Sequence, residues 1–160
     1  GLMIRILKEG IRVVECLEEC ILQPQSEIEK VRAFLLEEGF LFLEENMVRE
    51  DGKYYPMMKV RMPGREKTEP EKRKKDWEKE QKQIWTEAEV RYGKLLLEGR
   101  NPVLREFLER ERRIKQQILS RLETEDSGRI RKRRKAVKEE LECTEKGLSY
   151  YAVQRDYTGD

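Results

Sequence analysis

The first 62 residues alternate between helical and strand patterns, which limits this part of the chain to an α/β fold. Short apolar runs at 20–22 and 40–43 indicate strands, and apolar residues at helical spacing in 28–35 indicate a helix between them. Asp51-Gly52, followed by a further run at 53–62, is a strong hairpin signal. This order predicts an α/β sheet whose last strands are antiparallel.

Three local signals refine these boundaries. Residues 1–10 have the pattern of a helix already under way, with no capping residue before it and Gly10 as its stop. We therefore expect that a preceding part of the domain is missing. The stretch 11–14 is apolar, and Ser26 with Glu29 predicts a capping box for the helix that Gly39 ends.

The second part of the chain is much more polar. Charged residues make up 42% of the sequence and hydrophobic residues 37%, which favours a modest core joined to long, solvated helices. Residues 86–99 predict two short helical pieces broken at Gly93, and Asn101-Pro102 predicts a capped helix start. Two apolar stripes separated by Ser127-Gly128 then predict two helices that pair antiparallel as a coiled coil. The stripes are Leu104, Phe107, Leu108, Ile114, Ile118 and Leu122, then Ile130, Val137, Leu141, Thr144 and Leu148.

These patterns divide the chain into four segments. We expect an α/β portion at 1–64, a charged linker or helix at 65–85, a helical coiled-coil domain at 86–148 and a tail at 149–160.

Composition excludes several classes of protein. The chain contains no histidine, so the commonest general base is absent, and its three cysteines have no metal-ligand spacing. We expect no metal site and no disulfide scaffold. No apolar run approaches a membrane span and no signal peptide is visible, so a cytoplasmic location is expected.

Three groups of residues could carry function, and each has a simpler structural explanation. Gln23-Pro24-Gln25 follows a strand, where ligands often bind in α/β sheets, and glutamine can bond the edge of a base. Alternatively, Pro24 only ends the strand. Tyr55 beside the hairpin turn could stack on an extruded base, or it could be a cross-strand packing residue.

The third group is a basic segment at 129–138, with seven Lys/Arg and no acidic residue. It suits contacts to phosphates, but it could equally be the solvated outer face of a coiled coil. Additional basic residues on the facing helix favour nucleic acid. The candidates are Arg129, Arg131, Lys132, Arg133, Arg134 and Lys135, with Arg110, Arg112, Arg113 and Lys115 on the facing helix.

Several stretches in order resemble the bacterial tRNA (adenine-22-N1)-methyltransferases. The resemblance rests on residues 1–10, Cys20-Ile21-Leu22-Gln23-Pro24, Val31-Arg32-x-Phe34-Leu35, Gly39-Phe40, Glu50-Asp51-Gly52-Lys53-x-Tyr55, Val90-Arg91-Tyr92-Gly93-x-x-Leu96 and Asn101-Pro102-Val103.

The resemblance implies the C-terminal part of a Rossmann-like methyltransferase sheet followed by an α-helical antiparallel coiled-coil domain that grips tRNA. It implies methyl transfer from S-adenosyl-L-methionine to N1 of adenine 22, with Gln23, Pro24 and Gln25 at the catalytic site. Gly1 alone corresponds to the family's cofactor-binding glycines. We therefore expect that the chain by itself is inactive, and that its incomplete sheet self-associates.

The alternative hypothesis is a non-catalytic coiled-coil protein that binds a protein or a nucleic acid. The strands within residues 11–62 argue against it, because an adaptor of that kind needs no sheet.

Overall fold

The computed structural model of the protein describes residues 2–9, 17–63 and 84–152, which belong to two compact units meeting between Leu96 and Leu97. The elements of the first unit are α1 (Leu2–Glu9), β1 (Glu19–Leu22), α2 (Ile28–Glu37), β2 (Leu41–Glu50), β3 (Lys53–Arg61) and α3 (Glu87–Tyr92). Helix α4 (Lys94–Glu98) crosses the boundary, and α5 (Pro102–Leu122) and α6 (Gly128–Ser149) form the second unit.

The strands of the first unit form a small antiparallel sheet of order β1-β3-β2. The predicted hairpin is confirmed, since β2 and β3 are joined by Asp51 and Gly52, which both have positive φ, at 49° and 75°. Two consecutive positive φ values are the mark of the type I′ turn that matches the twist of paired strands. The predicted combination of helices with a sheet whose last strands are antiparallel is therefore confirmed.

One face of this sheet carries the core of the first unit. Helix α2 contributes Val31 and Leu35, which are buried with Met58 and Val60 of β3. Trp85 closes one side, with its ring centroid 4.7 Å from that of Phe42. The opposite face is more open, and Ile21 keeps 71% of its surface exposed. The helix predicted from the apolar spacing in 28–35 is therefore confirmed, and its apolar side packs against the sheet.

The predicted capping box at Ser26 and Glu29 is wrong. Helix α2 begins at Ile28, and its N-cap is Glu27, which has a left-handed backbone (φ 50°) and makes no side-chain capping bond. The later start places Glu29 at the second helical position, where it cannot complete the box. The predictions for Gly10, for the stretch 11–14 and for residues 65–83 lie outside the described residues.

A β-bulge in β2 turns one glutamate into the protein interior. Phe42 pairs with Val60 and Glu45 pairs with Met58, so the register shifts by one residue between Phe42 and Glu44. Because paired residues lie on the same face, Glu45 shares the buried face with Phe42 although the two are three positions apart. Glu44 is left exposed.

Glu45 forms a buried ion pair with Arg32 of α2. The Arg32 Nε donates to Glu45 Oε1 at 2.8 Å, and the two side chains are 2% and 0% exposed. Arg32 Nη1 also donates to the backbone carbonyls of Val90 (3.3 Å) and Arg91 (2.9 Å), and Glu45 Oε2 accepts from the Leu95 amide at 3.1 Å. The pair thus satisfies backbone groups at the end of α3 and at the start of α4.

Gly93 separates α3 from α4, which confirms the predicted break. Its φ is 102°, a value that favours glycine, and a Cβ there would lie 2.8 Å from Glu45 Oε2 and 2.9 Å from Arg32 Nη2. The chain can approach the ion pair this closely only with glycine. Thr86 begins α3 with a complete capping box to Glu89.

The second unit is a pair of long antiparallel helices. Asn101 caps α5 by accepting from the amides of Val103 and Leu104, as predicted, and Ser127 caps α6 by accepting from Ile130. At the open end of the pair, Tyr151 donates its hydroxyl to the Asn101 carbonyl at 2.7 Å. Burial raises the pKa of Tyr151 to about 12, so the hydroxyl keeps its proton into alkaline pH.

The interface of this helical hairpin mixes apolar and polar residues. Leu104, Leu108 and Val137 are buried as the stripes predict, but Ile114 is 39% exposed and Lys115 takes the buried position beside it. Lys115 Nζ lies 2.7 Å from Glu111 and 3.3 Å from the Thr144 hydroxyl. The apolar stripe was therefore assigned wrongly at Ile114, because a heptad step from Leu108 arrives at Lys115.

Replacing Glu45 with glutamine should destabilise the first unit, because Arg32 would remain buried without its counter-charge. We expect a loss of roughly 3 kcal/mol in the free energy of unfolding. The control is Glu44→Gln, one residue away and exposed, which should change it by less than about 0.5 kcal/mol. Urea denaturation followed by tryptophan fluorescence measures both variants. Equal losses would contradict the bulged register of β2 against β3.

Candidate nucleic-acid interface

The turn that joins α5 to α6 is held by one of the predicted RNA-binding arginines. Arg134 donates through Nη2 to the backbone carbonyls of Leu122 and of Glu125, the latter at 3.1 Å. Among the described residues, its Nε is the buried side-chain nitrogen or oxygen that has no hydrogen-bond partner. Since Arg134 satisfies carbonyls at the end of α5, it has a structural role whatever else it contacts.

The other basic residues at the start of α6 are exposed. Ile130, Arg134 and Val137 occupy the side of α6 that faces α5, so the residues between them project around the remaining surface. Arg131 lies 3.5 Å from Asp126, but both side chains are largely exposed and such a pair is weak. The exposed cations are Arg129, Arg131, Lys132, Arg133 and Lys135.

The basic residues of α5 are in different surroundings. Arg112 is partly buried and lies 3.8 Å from Glu145 of α6, while Arg113 is exposed. Lys115 is buried in the helix interface and is not available to a ligand. Beyond Lys138, α6 continues with Glu139, Glu140 and Glu142, which are exposed. The excess of positive charge is therefore concentrated at the turn end of the hairpin, in residues 129–135.

In the first unit, the predicted base-contacting residues follow β1. Pro24 is buried, whereas Gln23 and Gln25 are exposed. Tyr55 is half-buried, pairs with Val48 across the hairpin and lies on the sheet face opposite to Met58. The structure thus leaves the two glutamines accessible to a ligand and gives Tyr55 a cross-strand neighbour. Gly1 lies outside the described residues.

The buried polar side chains in the described part of the first unit are bonded within the protein. No side-chain nitrogen or oxygen buried there lacks a hydrogen-bond partner. The exposed polar residues that follow β1 include Gln23, Gln25 and Ser26, and the sequence contains no paired glycines of the Gly-x-Gly type. We therefore assign no cofactor contact to these residues.

Residues 2–9, 17–63 and 84–152 contain neither a metal-binding cluster nor a membrane-spanning helix. No group of three or more cysteine, aspartate or glutamate residues there could hold a metal ion. No helix in the same ranges is long and apolar enough to cross a membrane.

The Arg32–Glu45 pair was missed by sequence reasoning, although the sequence contains a signal for it. Arg32 stands directly after Val31 on the apolar side of an amphipathic helix, where a charge needs a partner. The partner could not be chosen between Glu44 and Glu45 without knowledge of the bulge.

Solved structures show a similar fold. The chain is similar to a protein in the NADB-Rossmann superfamily from Streptococcus agalactiae, at 18% identity over 92% of this chain and 55% of that one, with a TM-score of 0.67. It is similar to the putative tRNA (m1A22) methyltransferase Sp1610 of Streptococcus pneumoniae in complex with S-adenosyl-L-methionine, at 22% identity over 92% and 55%, with a TM-score of 0.63. The B. subtilis m1A22 tRNA methyltransferase TrmK gives 21% identity over 92% and 58%, and a TM-score of 0.68.

These likenesses show that the chain shares the fold of the matching parts of these structures, and it spans between 55% and 58% of their length. The sequence model of TrmK, tRNA (adenine(22)-N(1))-methyltransferase, matches residues 1–146. The chain therefore belongs to the tRNA (adenine(22)-N(1))-methyltransferase family, which confirms the resemblance found in the sequence. No curated protein matches the chain.

Proposed function

We propose that this chain is the part of an S-adenosyl-L-methionine-dependent tRNA methyltransferase that holds the tRNA substrate, in an enzyme that methylates N1 of adenine 22. The observation that carries the proposal is the family match over residues 1–146, which includes the basic start of α6. A cytoplasmic location follows as part of the same proposal, because tRNA is the substrate of the family.

The α5–α6 hairpin is proposed to contact the tRNA backbone as a coiled coil. Five exposed cations lie within residues 129–135, and exposed Lys and Arg side chains bind phosphates without regard to base sequence. Arg113 adds one exposed cation on α5, whereas Arg112 is in an ion pair with Glu145. Arg134 is proposed to support this surface by holding the turn.

The residues after β1 are proposed to meet the target base. Adenine N1 is an in-ring nitrogen that can attack a methyl group directly, so the enzyme has to expose the Watson–Crick edge of the base and hold it in position. The amides of Gln23 and Gln25 can donate to and accept from such an edge. The buried Pro24 fixes the backbone between them, because its ring restricts φ. No covalent intermediate is required, so the absence of histidine presents no difficulty.

Isothermal titration calorimetry of this chain with S-adenosyl-L-methionine should show no measurable binding. The reason is that the sequence contains no Gly-x-Gly loop of the kind that approaches a nucleotide cofactor closely. For the same reason, we expect no methyl transfer by the chain alone. A dissociation constant in the micromolar range would contradict this expectation.

Self-association through the sheet is proposed from the exposure of β1. Strand β1 pairs with β3 on one side, and Ile21 projects from it with 71% of its surface exposed. An accessible strand edge is a template for another chain. Light scattering should show a dimer that Ile21→Lys converts to a monomer, whereas Val48→Lys on β2 should leave the dimer intact. A monomeric wild-type chain would refute the proposal.

Reversing charges on α6 should weaken binding of tRNA. Arg131→Glu combined with Arg133→Glu should lower the affinity at low salt and make its salt dependence shallower by roughly two to four in log–log slope, because two cations are lost and two anions gained. Arg134 is left unchanged because it holds the turn. Fluorescence anisotropy with a labelled tRNA transcript measures both quantities.

The matched control for this titration is Arg5→Glu with Lys30→Glu. Both residues are exposed cations of the first unit, in surface pairs with Glu9 and Glu27. The control should bind tRNA like the wild-type chain. Equal loss in the two variants, or no binding by the wild-type chain at low salt, would overturn tRNA binding by the hairpin and favour a protein-binding coiled coil.

A further inference from the structure

The start of α6 opposes the charge preference of a helix. Backbone N–H groups make the N-terminus of a helix electropositive, so acidic residues stabilise the first turn and basic residues the last. Helix α3 follows this rule, with Glu87 and Glu89 in its first turn, and α2 follows it with Glu29. Helix α6 has no acidic residue in its first turn and begins with Arg129 and Arg131 instead.

The same cations also repel one another. On a helix, residues three and four positions apart are neighbours, so Arg129 adjoins Lys132 and Arg133, and Arg131 adjoins Lys135. Arg131 has a partial counter-charge in Asp126, which lies 3.5 Å away but is 80% exposed in its side chain. An exposed ion pair of this kind recovers little of the repulsion.

Packing gives no reason for this arrangement. Arg129, Lys132 and Arg133 are exposed, whereas Arg134, which donates to two carbonyls at the turn, lies on the side that faces α5. A solvated face needs polar residues but has no need of a single sign of charge, as the following Glu139 and Glu140 on the same helix illustrate. The exposed cations of the segment are therefore expected to lower the stability of the free hairpin, and they make no packing contact that offsets this cost.

We propose that residues 129–135 of α6 form a phosphate-binding end of the hairpin, which is destabilised in the free protein and relieved when an RNA backbone binds there. This inference rests on the proposed function and adds the coupling between RNA binding and the stability of the hairpin. Seven helical residues extend about 10 Å, so the site is long enough for only a few phosphates. The middle of the hairpin, where Arg112 is close to Glu145, contributes little.

The coupling predicts opposite effects of one substitution on stability and on binding. Arg129→Gln with Arg133→Gln removes two exposed cations from the start of α6. At low salt and without RNA, the thermal unfolding midpoint of this variant should rise by a few degrees. A shift of that size corresponds to a small gain in the free energy of unfolding for a unit of this size. The affinity of the variant for tRNA should fall about tenfold at low salt, with a salt slope shallower by about two.

The matched control removes two exposed cations from the rest of the same helix, by Lys138→Gln with Lys146→Gln. Lys146 lies in the last turn, where a cation is favourable, so the midpoint of this variant should stay the same or fall. Its affinity should remain within about threefold of wild type, since the expected phosphate contacts are intact. Circular dichroism gives the midpoints and fluorescence anisotropy gives the affinities.

The possible results separate this inference from the proposed function. Two results would overturn the proposal of a phosphate-binding end: a raised midpoint with unchanged affinity, or an equal loss of affinity in both variants. In either case the proposed function would still stand if the wild-type chain binds tRNA. A midpoint that falls in the Arg129 and Arg133 variant also overturns the phosphate-binding end, because those cations would then stabilise the free helix. No tRNA binding by the wild-type chain defeats the proposed function itself.

Discussion

The buried ion pair between Arg32 and Glu45 is the interaction on which the rest of the first unit depends. Removing two charges from water costs several kcal/mol for each, and Coulomb attraction offsets this only when the remaining polar groups are also bonded. In this unit the guanidinium reaches two carbonyls at the end of α3, and the carboxylate accepts the Leu95 amide at the start of α4. One pair therefore joins α2 to β2 and fixes the break between two short helices, neither of which is long enough to be stable by itself.

The helical hairpin uses a polar contact in a related way. Lys115 and Thr144 occupy positions that a heptad pattern assigns to the interface, and the ammonium group lies between Thr144 and Glu111. A shift of either helix along the other would bury the ammonium against apolar side chains, which costs far more than the same shift in a wholly apolar interface. We infer that this contact fixes the register of α5 against α6, as polar residues at core positions do in coiled coils.

Local sequence signals predicted the elements whose causes are local. The Asp51-Gly52 turn, the Asn101 cap and the break at Gly93 follow from residues a few positions apart, and the structure confirms them. The predicted capping box at Ser26 is wrong because Glu27 has a left-handed backbone conformation, which no neighbouring residue in the sequence indicates. Glu45 could not be distinguished from Glu44, because the bulge that separates them depends on pairing with β3.

The candidate site divides in the same way. Sequence located the basic segment because charge density is a local property, but it grouped Arg134 with its neighbours, and only the fold shows that this side chain bonds to carbonyls across the turn. Arg133 and Arg134 are adjacent in sequence and differ by about 100° around the helix, so one is exposed and the other faces α5. Successive cations of α6 therefore lie on different sides of the helix. Positive charge surrounds the turn end of the hairpin, while one arginine bonds to the turn. The repulsion among these cations lowers the stability of α6 itself.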